Sequence, residues 1–313
     1  MNCLIKKMGI ILLNYLNYED TIECLNSLKA QTVKNISIVI VDNGSNNSSV
    51  RKIKKEIGNS DNIFLIQSDK NLGFARGNNL GINFLKNKLY IDNILLCNND
   101  LVFSDSTFLD KLQRQSIAAD VGAVGTSIIG KLFKNQNPAF WDFSKKSIIS
   151  EIQSLEPQEP SFKQKVKNEL LKSSFFFSLK NLKIKYQENL LIKKNEKDNL
   201  LTSRESKQIL SKKNLLHGSA ILLTSNYFRV FPYLYPKTFL YGEEMVLKIL
   251  FEKAKLKMLF IPDISIDHKE DKSSDLSFEG KNEELGHLYR KQSDELILEL
   301  FDKELKDIQA EFY

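Results

Sequence analysis

Apolar residues in the first 130 positions recur at two alternating periods. Gly9-Ile-Ile-Leu-Leu-Asn14 is a short apolar run that stops at a polar residue, and Ile22, Leu25 and Leu28 then share one helical face. Ile36-Ser-Ile-Val-Ile-Val41 is a β-branched run of the kind found in central parallel strands, and it ends in Asp42-Asn43-Gly44-Ser45. Val50, Ile53 and Ile57 return to helical spacing, and Ile63-Phe-Leu-Ile66 predicts another strand. Lys70-Asn71-Leu72-Gly73 turns the chain into a helix carrying Ile82 and Leu85. A strand at Ile94-Leu-Leu-Cys97 follows, tipped by Asn98-Asn99-Asp100. Ser104 or Asp105 can cap a helix bearing Phe108, Leu109 and Leu112, and Val121 to Ile129 predicts a further strand.

Strands alternating with helices imply right-handed crossovers and an α/β fold with a mostly parallel central sheet. In such a sheet the loops after the strands share one edge, so Asn14, Asp42, Asp69 to Gly73 and Asn98 to Asp100 converge. Asn98 to Asp100 alone reads equally as a turn. The convergence turns it into a candidate site, because a carboxylate and amides at that edge are hard oxygen ligands suited to Mg²⁺ or Mn²⁺ on a diphosphate.

The remaining pattern is less regular. Lysines mix with isolated apolar residues from about Asn137 to Lys213, including Val166, Leu170, Leu171 and Phe175 to Phe177. This basic helical insert is either a solvated excursion or an amphipathic surface facing anionic lipid. Leu215 to Leu223 predicts a strand containing His217 and Gly218, and Tyr241-Gly242-Glu243-Glu244 opens a helix with Leu247, Leu250 and Phe251 inward. Lys257-Met-Leu-Phe-Ile261 predicts a strand leading to His268, and leucines from Glu283 onward predict a C-terminal helix for packing or dimer formation. The expected divisions are 1–136, the alternating strand-and-helix half; 137–213, the insert; 214–280, a second half of strands and one helix; and 281–313, the helical tail.

Composition adds bounds. With 313 residues and 42% apolar content the chain can bury one large core or two modest ones. A net charge of +6 permits an anionic partner without naming it. The three cysteines form no C-x-x-C pair, which argues against a disulfide scaffold and fits a reducing compartment. The apolar start is too short to span a bilayer and lacks a cleavage site, so a cytoplasmic location is expected. No G-x-G-x-x-G follows the first strand, and the near P-loop at Gly125 to Leu132 has Leu132 where a hydroxyl must meet Mg²⁺.

The ordered set Asn14-Tyr-Leu-Asn17, Val41-Asp-Asn-Gly-Ser45, Asn71-Leu-Gly-Phe-Ala-Arg-Gly-Asn-Asn79 and Leu96-Cys-Asn-Asn-Asp100 resembles the second family of inverting glycosyltransferases with the GT-A fold. The likeness is to bacterial members that build rhamnose-, galactose- or glucose-containing surface polysaccharides. It covers Gly9 to about Ile129 and resumes near Leu215.

The resemblance implies roles residue by residue. Asn14 and Asp42 belong to the nucleotide site, with Asp42 accepting from a pyrimidine base. Asn71, Gly73 and Arg76 line the nucleotide and sugar pocket, Arg76 facing a phosphate or sugar hydroxyl. Asn98, Asn99 and Asp100 take the place of the family's Asp-x-Asp motif, with Asp100 as ligand to Mn²⁺ or Mg²⁺ and His268 completing that site. His217 and Gly218 form a wall near sugar and acceptor. The family's Glu-Asp motif falls on Glu243-Glu244, with Glu244 as general base and Glu243 as second choice. Departures are Asn98 in place of the first acid, Asn47 where relatives often carry Asp, and Val246 and Leu250 where an acid and an arginine usually stand.

The implied activity is metal-dependent inverting transfer of a sugar from a UDP- or dTDP-sugar to a hydroxyl of a lipid-linked glycan, with contact at the inner membrane face and no nucleic acid. Two rivals remain: a sugar-phosphate nucleotidyltransferase, which needs a Gly-rich basic loop absent from Asn14 to Glu19, and a non-catalytic anionic-ligand-binding protein, which leaves the acidic motifs without use.

Overall fold

The computed structural model describes residues 3–5, 7–33, 35–141, 144–155, 188, 190–199, 206–270 and 282–313. Val166, Leu170, Leu171 and Phe175 to Phe177 of the insert lie outside these residues.

The first half runs β1 (Cys3–Leu4), β2 (Met8–Asn14), α1 (Tyr18–Lys29), β3 (Ile36–Asp42), α2 (Ser49–Ile57), β4 (Ile63–Gln67), α3 (Gly73–Lys88) and β5 (Ile94–Asn98). It continues through β6 (Leu101–Val102), α4 (Phe108–Gln113), β7 (Ser116–Ile117), β8 (Val121–Ile129), β9 (Ala139–Phe140) and α5 (Lys145–Ser154). The second half holds β10 (Gln208–Ile209), β11 (Asn214–Leu215), β12 (Ala220–Leu223), α6 (Ser225–Phe228), α7 (Glu243–Ala254), β13 (Lys257–His268), α8 (Asn282–Asp302) and α9 (Leu305–Ala310).

A nine-stranded sheet in the order β10-β13-β8-β12-β5-β2-β3-β4, with β6 on β13, forms the middle layer. β2, β3, β4 and β5 pair in parallel, as do β8 and β13. Side chains along each strand alternate between two cores, one on each face. Ile10, Leu12, Ile38, Ile40, Leu95 and Cys97 enter one core, and Ile11, Val39, Val41, Ile94 and Leu96 enter the other. Both faces of the parallel strands are covered, which is why these runs read as continuously apolar.

One strand decides where the site lies. β12 runs antiparallel to both neighbours, pairing Ala220 with Cys97 of β5 and Leu222 with Val124 of β8. The residues that precede β12 therefore arrive at the same edge as the residues that follow β5. Asn98 N–H donates to the Ser219 carbonyl at 2.8 Å, fixing that meeting point. The predicted single strand Leu215 to Leu223 is accordingly two strands: β11 pairs with β9, and the chain bends at 216–219 before β12. β13 extends past the predicted end, through a register shift between Ile261 and Ser265, to set His268 opposite Leu101 of β6.

α8 packs within its own chain, against α5 and α7. Its Tyr289 ring lies 4.6 Å from that of Phe239, and Ser293 Oγ donates to the Leu240 carbonyl at 3.1 Å. The C-terminal helix thus braces the 238–242 loop.

Candidate active site

The polar strand tips that the sequence singles out are bonded to one another. Asn14 Nδ2 donates to Asp42 Oδ2 at 2.7 Å, and Ser45 N–H donates to Asp42 Oδ1 at 3.0 Å. Asn43 stitches the next loop, accepting from Leu72 N–H at 3.0 Å and donating to Asn71 Oδ1 at 3.0 Å. Asn99 Nδ2 donates to Thr21 Oγ1 and to the Asn17 carbonyl, each at 3.0 Å. Buried amides at a sheet edge must find partners, and here each motif supplies the partner for another.

Three of the expected residues are placed as follows. Asn14 and Asp42 are fully buried, and each Asp42 oxygen accepts one hydrogen bond within the loop. Arg76 is exposed on α3 and lines a separate depression with Glu295 and Glu299, away from the strand tips. Glu243 turns inward, against Ala75, Tyr235 and Leu250.

A cavity of about 180 Å³ opens between the strand tips and the 238–242 loop, walled by Tyr15, Asn71, Phe74, Asn98 and Tyr241. Asn99 and Gly73 also border it. Its aromatic and aliphatic walls suit a flat base, and its amides suit hydroxyls. Phe74 lies in the stretch Asn71 to Arg76 that the resemblance places along the pocket, whereas it assigns Tyr15, Asn43 and Tyr241 no role. Tyr15 and Asn43 nonetheless stand inside the motifs at Asn14 to Asn17 and Val41 to Ser45, and Tyr241 just before Gly242-Glu243-Glu244. Gly73 has φ +78°, and a Cβ there would come within 2.2 Å of the Phe239 carbonyl oxygen. That oxygen accepts from Phe74 N–H at 2.8 Å, so α3 can begin against this loop only with glycine.

Beyond Asn98 and Asn99 lies a charged cluster. Asp100 is 4% exposed, and its Oδ1 has no hydrogen-bond partner. Its Oδ2 is 3.4 Å from His268 Nε2, and His268 Nδ1 is 2.7 Å from Gln136 Oε1. The His217 ring meets that of His268 edge-on at 5.6 Å. Ser219 N–H donates to His217 Nδ1 at 3.2 Å, leaving Nε2 to carry the proton of the neutral ring. Burial lowers the His217 pKa, His268 lowers it further, and the charges of Glu244, Glu270 and Asp100 act against that. Glu244 and Asp100 therefore both bear on one imidazole.

Acids in a first helical turn ordinarily serve the helix dipole. Glu244 does something else: no side chain caps this helix, and Glu244 Oε1 accepts from Gly218 N–H at 3.0 Å. A Cβ on residue 218 would lie 2.2 Å from that oxygen.

The residues fit a divalent cation. An unbonded buried carboxylate oxygen and an imidazole whose Nδ1 is engaged are an oxygen and a nitrogen donor side by side. Among the described residues no group of three or more His, Cys, Asp or Glu could hold a metal by itself. Two protein donors leave positions for phosphate oxygens and water, the usual arrangement for Mg²⁺ at a diphosphate.

Glu243 has a different consequence. Burial, with the charge of Glu244 adding to it, pushes its carboxyl from an ordinary 4.5 up to about 8. Below 4.5 the group is neutral in folded and unfolded chains alike. As pH rises from there to about 8, the unfolded chain ionises while the folded chain keeps its proton, and the folded state loses ground. Glu243→Gln stays neutral throughout, so its stability relative to the native chain should rise by roughly 3–5 kcal/mol across that window. Urea midpoints at both ends of the window measure this; an unchanged difference rules it out.

Comparison with known proteins fits this geometry. Residues 10–177 match the family model described as Glycosyl transferase family 2. No curated protein matches the chain. Among solved structures, GalNAc-T7 with UDP, GalNAc and Mn²⁺ aligns over 85% of this chain at 10% identity with a TM-score of 0.52. The aligned part is 44% of that protein, so this chain spans less than half of its length. S. aureus TarS residues 1–349 align over 98% of this chain and 70% of theirs, at 13% identity and a TM-score of 0.48. The mannosyltransferase PcManGT from Pyrobaculum calidifontis, in complex with GDP-Man and Mn²⁺, aligns over 97% of this chain and 74% of its own, at 10% identity and a TM-score of 0.49. The GalNAc-T7 likeness shows a shared fold, and because the family model spans more than half of the 313 residues, the chain belongs to glycosyl transferase family 2.

Proposed function

We propose that this chain is a metal-dependent inverting glycosyltransferase that moves a sugar from a UDP- or dTDP-sugar to a hydroxyl of a lipid-linked glycan in bacterial cell-surface polysaccharide synthesis. The observation that carries this reading is that Glu244 is held by Gly218, next to His217, whose ring meets that of His268 in the Asp100–His268 pair, beside a cavity that Asn98 and Asn99 line. A carboxylate able to take a proton and a donor pair able to hold a cation are the two parts that direct displacement needs. The halves 1–136 and 214–280 contribute one part each, apart from His268 joining Asp100 across them.

In this mechanism the donor base lies against Tyr15, Phe74 and Tyr241, with Asn71 and Asn98 holding hydroxyls. Asp100 and His268 would hold Mn²⁺ or Mg²⁺, and such an ion would supply charge neutralisation for the departing diphosphate. Glu244 accepts the acceptor's hydroxyl proton as that oxygen attacks the anomeric carbon from the face opposite the diphosphate. One displacement at that carbon inverts it, and no covalent nucleophile is required. Gly218 N–H holds Glu244 in place for this step, and His217 keeps its Nε2–H toward the cluster.

No helix among the described residues is long and apolar enough to cross a membrane. In this reading, contact with the cytoplasmic membrane face and with the lipid carrier comes from the lysine-rich insert at 137–213.

The test is a thermal-shift series with UDP, dTDP and GDP, each with and without Mn²⁺. A ligand that binds only the folded chain at 100 times its Kd stabilises it by about 2.7 kcal/mol. UDP or dTDP is expected to raise the Tm only when Mn²⁺ or Mg²⁺ is present. Absence of any shift with all three diphosphates refutes the donor assignment.

A further inference from the structure

Between β8 and β9 and after β13, the side chains of Glu270, Gln136 and His268 are hydrogen-bonded in series and lead to Asp100 at the candidate metal site. Glu270 begins it, accepting at Oε1 from Lys131 N–H at 3.0 Å and from Gln136 Nε2. Gln136 Oε1 meets His268 Nδ1 at 2.7 Å, and His268 Nε2 faces Asp100 at 3.4 Å. A carboxylate can only accept, so it takes the NH₂ end of Gln136 and leaves the amide oxygen toward the histidine. An amide oxygen can also only accept, so His268 must donate from Nδ1. In the neutral ring the proton is thereby placed on Nδ1, and Nε2, which faces Asp100, is the nitrogen left with a lone pair. The backbone makes room for this: a Cβ on Gly130 would lie 2.1 Å from Glu270 Oε1 and 2.5 Å from Gln136 Nε2.

We infer that Gln136, oriented by Glu270 across Gly130, is a positioning residue that fixes the tautomer and ring orientation of His268 so that Nε2 is available as a ligand beside Asp100. The inference rests on the proposed role of His268 toward a divalent cation. A hydrogen bond to the far nitrogen of a ligating histidine is the usual device for setting tautomer and basicity, and its loss typically weakens metal affinity by about 10–100-fold. Nothing in the sequence marks Gln136, which lies 132 positions from its partner.

The chain has three histidines, His217, His268 and His287, which makes ring-nitrogen NMR of the full-length protein tractable. In a ¹⁵N-histidine sample, with His268→Ala identifying the signals of that ring, His268 is expected as the Nδ1–H tautomer. Gln136→Leu is expected to lose that preference and to weaken Mn²⁺ binding in the presence of UDP by about 10–100-fold. Gln136→Glu combined with Glu270→Gln exchanges acid and amide, keeps an acceptor for Nδ1–H without setting two carboxylates against each other, and is expected to restore the tautomer. Glu270→Gln is a second route if Gln136→Leu fails to fold: an amide at 270 no longer dictates which way Gln136 points, and His268 should populate both tautomers. An Nδ1–H signal unchanged in both Gln136→Leu and Glu270→Gln overturns the inference. Failure of the underlying reading looks different: His268→Ala and Asp100→Ala would leave Mn²⁺ binding as in the native chain, while the tautomer still reports on Gln136.

Discussion

Glu244→Gln is expected to lower sugar transfer by about 10²–10⁴-fold, the range for losing a positioned general base, while the Kd for UDP with Mn²⁺ stays within about a factor of three. The substitution keeps the shape of the side chain, and the amide oxygen can still accept from Gly218 N–H, which Glu244 Oε1 now does at 3.0 Å. What disappears is the ability to take a proton. Gly218→Ala should act in the same direction by another route, since the added Cβ would stand 2.2 Å from Glu244 Oε1 and displace it. Glu243→Gln should leave transfer near the native rate, because that side chain faces Ala75, Tyr235 and Leu250. Single-turnover rates on a saturated donor complex decide the matter. Transfer surviving in Glu244→Gln and vanishing in Glu243→Gln would reverse the assignment.

Asp100→Ala is expected to abolish the Mn²⁺-dependent rise in Tm and to reduce transfer by at least about 10²–10³-fold, comparable to removing one preorganised group that stabilises transition-state charge. The isosteric Asp100→Asn carries a sharper expectation. Asp100 is 4% exposed and its Oδ1 lacks any hydrogen-bond partner, so without a cation this carboxylate is a buried charge with incomplete compensation. Neutralising it should leave the Tm of the metal-free protein unchanged or raise it. A structural carboxylate would behave the opposite way, and a fall of several degrees in the metal-free Asp100→Asn protein would place Asp100 among residues kept for stability.

The placements of Glu243 and Arg76 share a cause. Glu243 and Glu244 are neighbours in sequence but point roughly 100° apart around a helix. Which of them faces the cleft depends on how α7 is rotated against β11, β13 and α8, and no local pattern encodes that rotation. Arg76 shows the same effect: it sits in a motif whose other members border the cavity, yet its position on α3 carries it to the face shared with Glu295 and Glu299. Asp42 has the position that the motif implied, and Asn14 and Ser45 each donate to one of its oxygens. The sequence assigns Tyr15 and Tyr241 no role because aromatic residues at loop edges look the same whether they wall a pocket or cover a core.

The sequence by itself determined the alternation of strands and helices, the two-sided burial of the parallel strands, and the edge at which Asn98 to Asp100 emerge. These follow from periods of 2 and 3.6 and from turn-forming residues, which act over a few positions. Only the tertiary structure decided that β12 enters antiparallel and brings His217 and Gly218 to that edge, that β13 runs on to set His268 beside Asp100, and that Gln136 holds the ring there. Each of these joins residues far apart in the chain, and such contacts are fixed by the packing of whole elements.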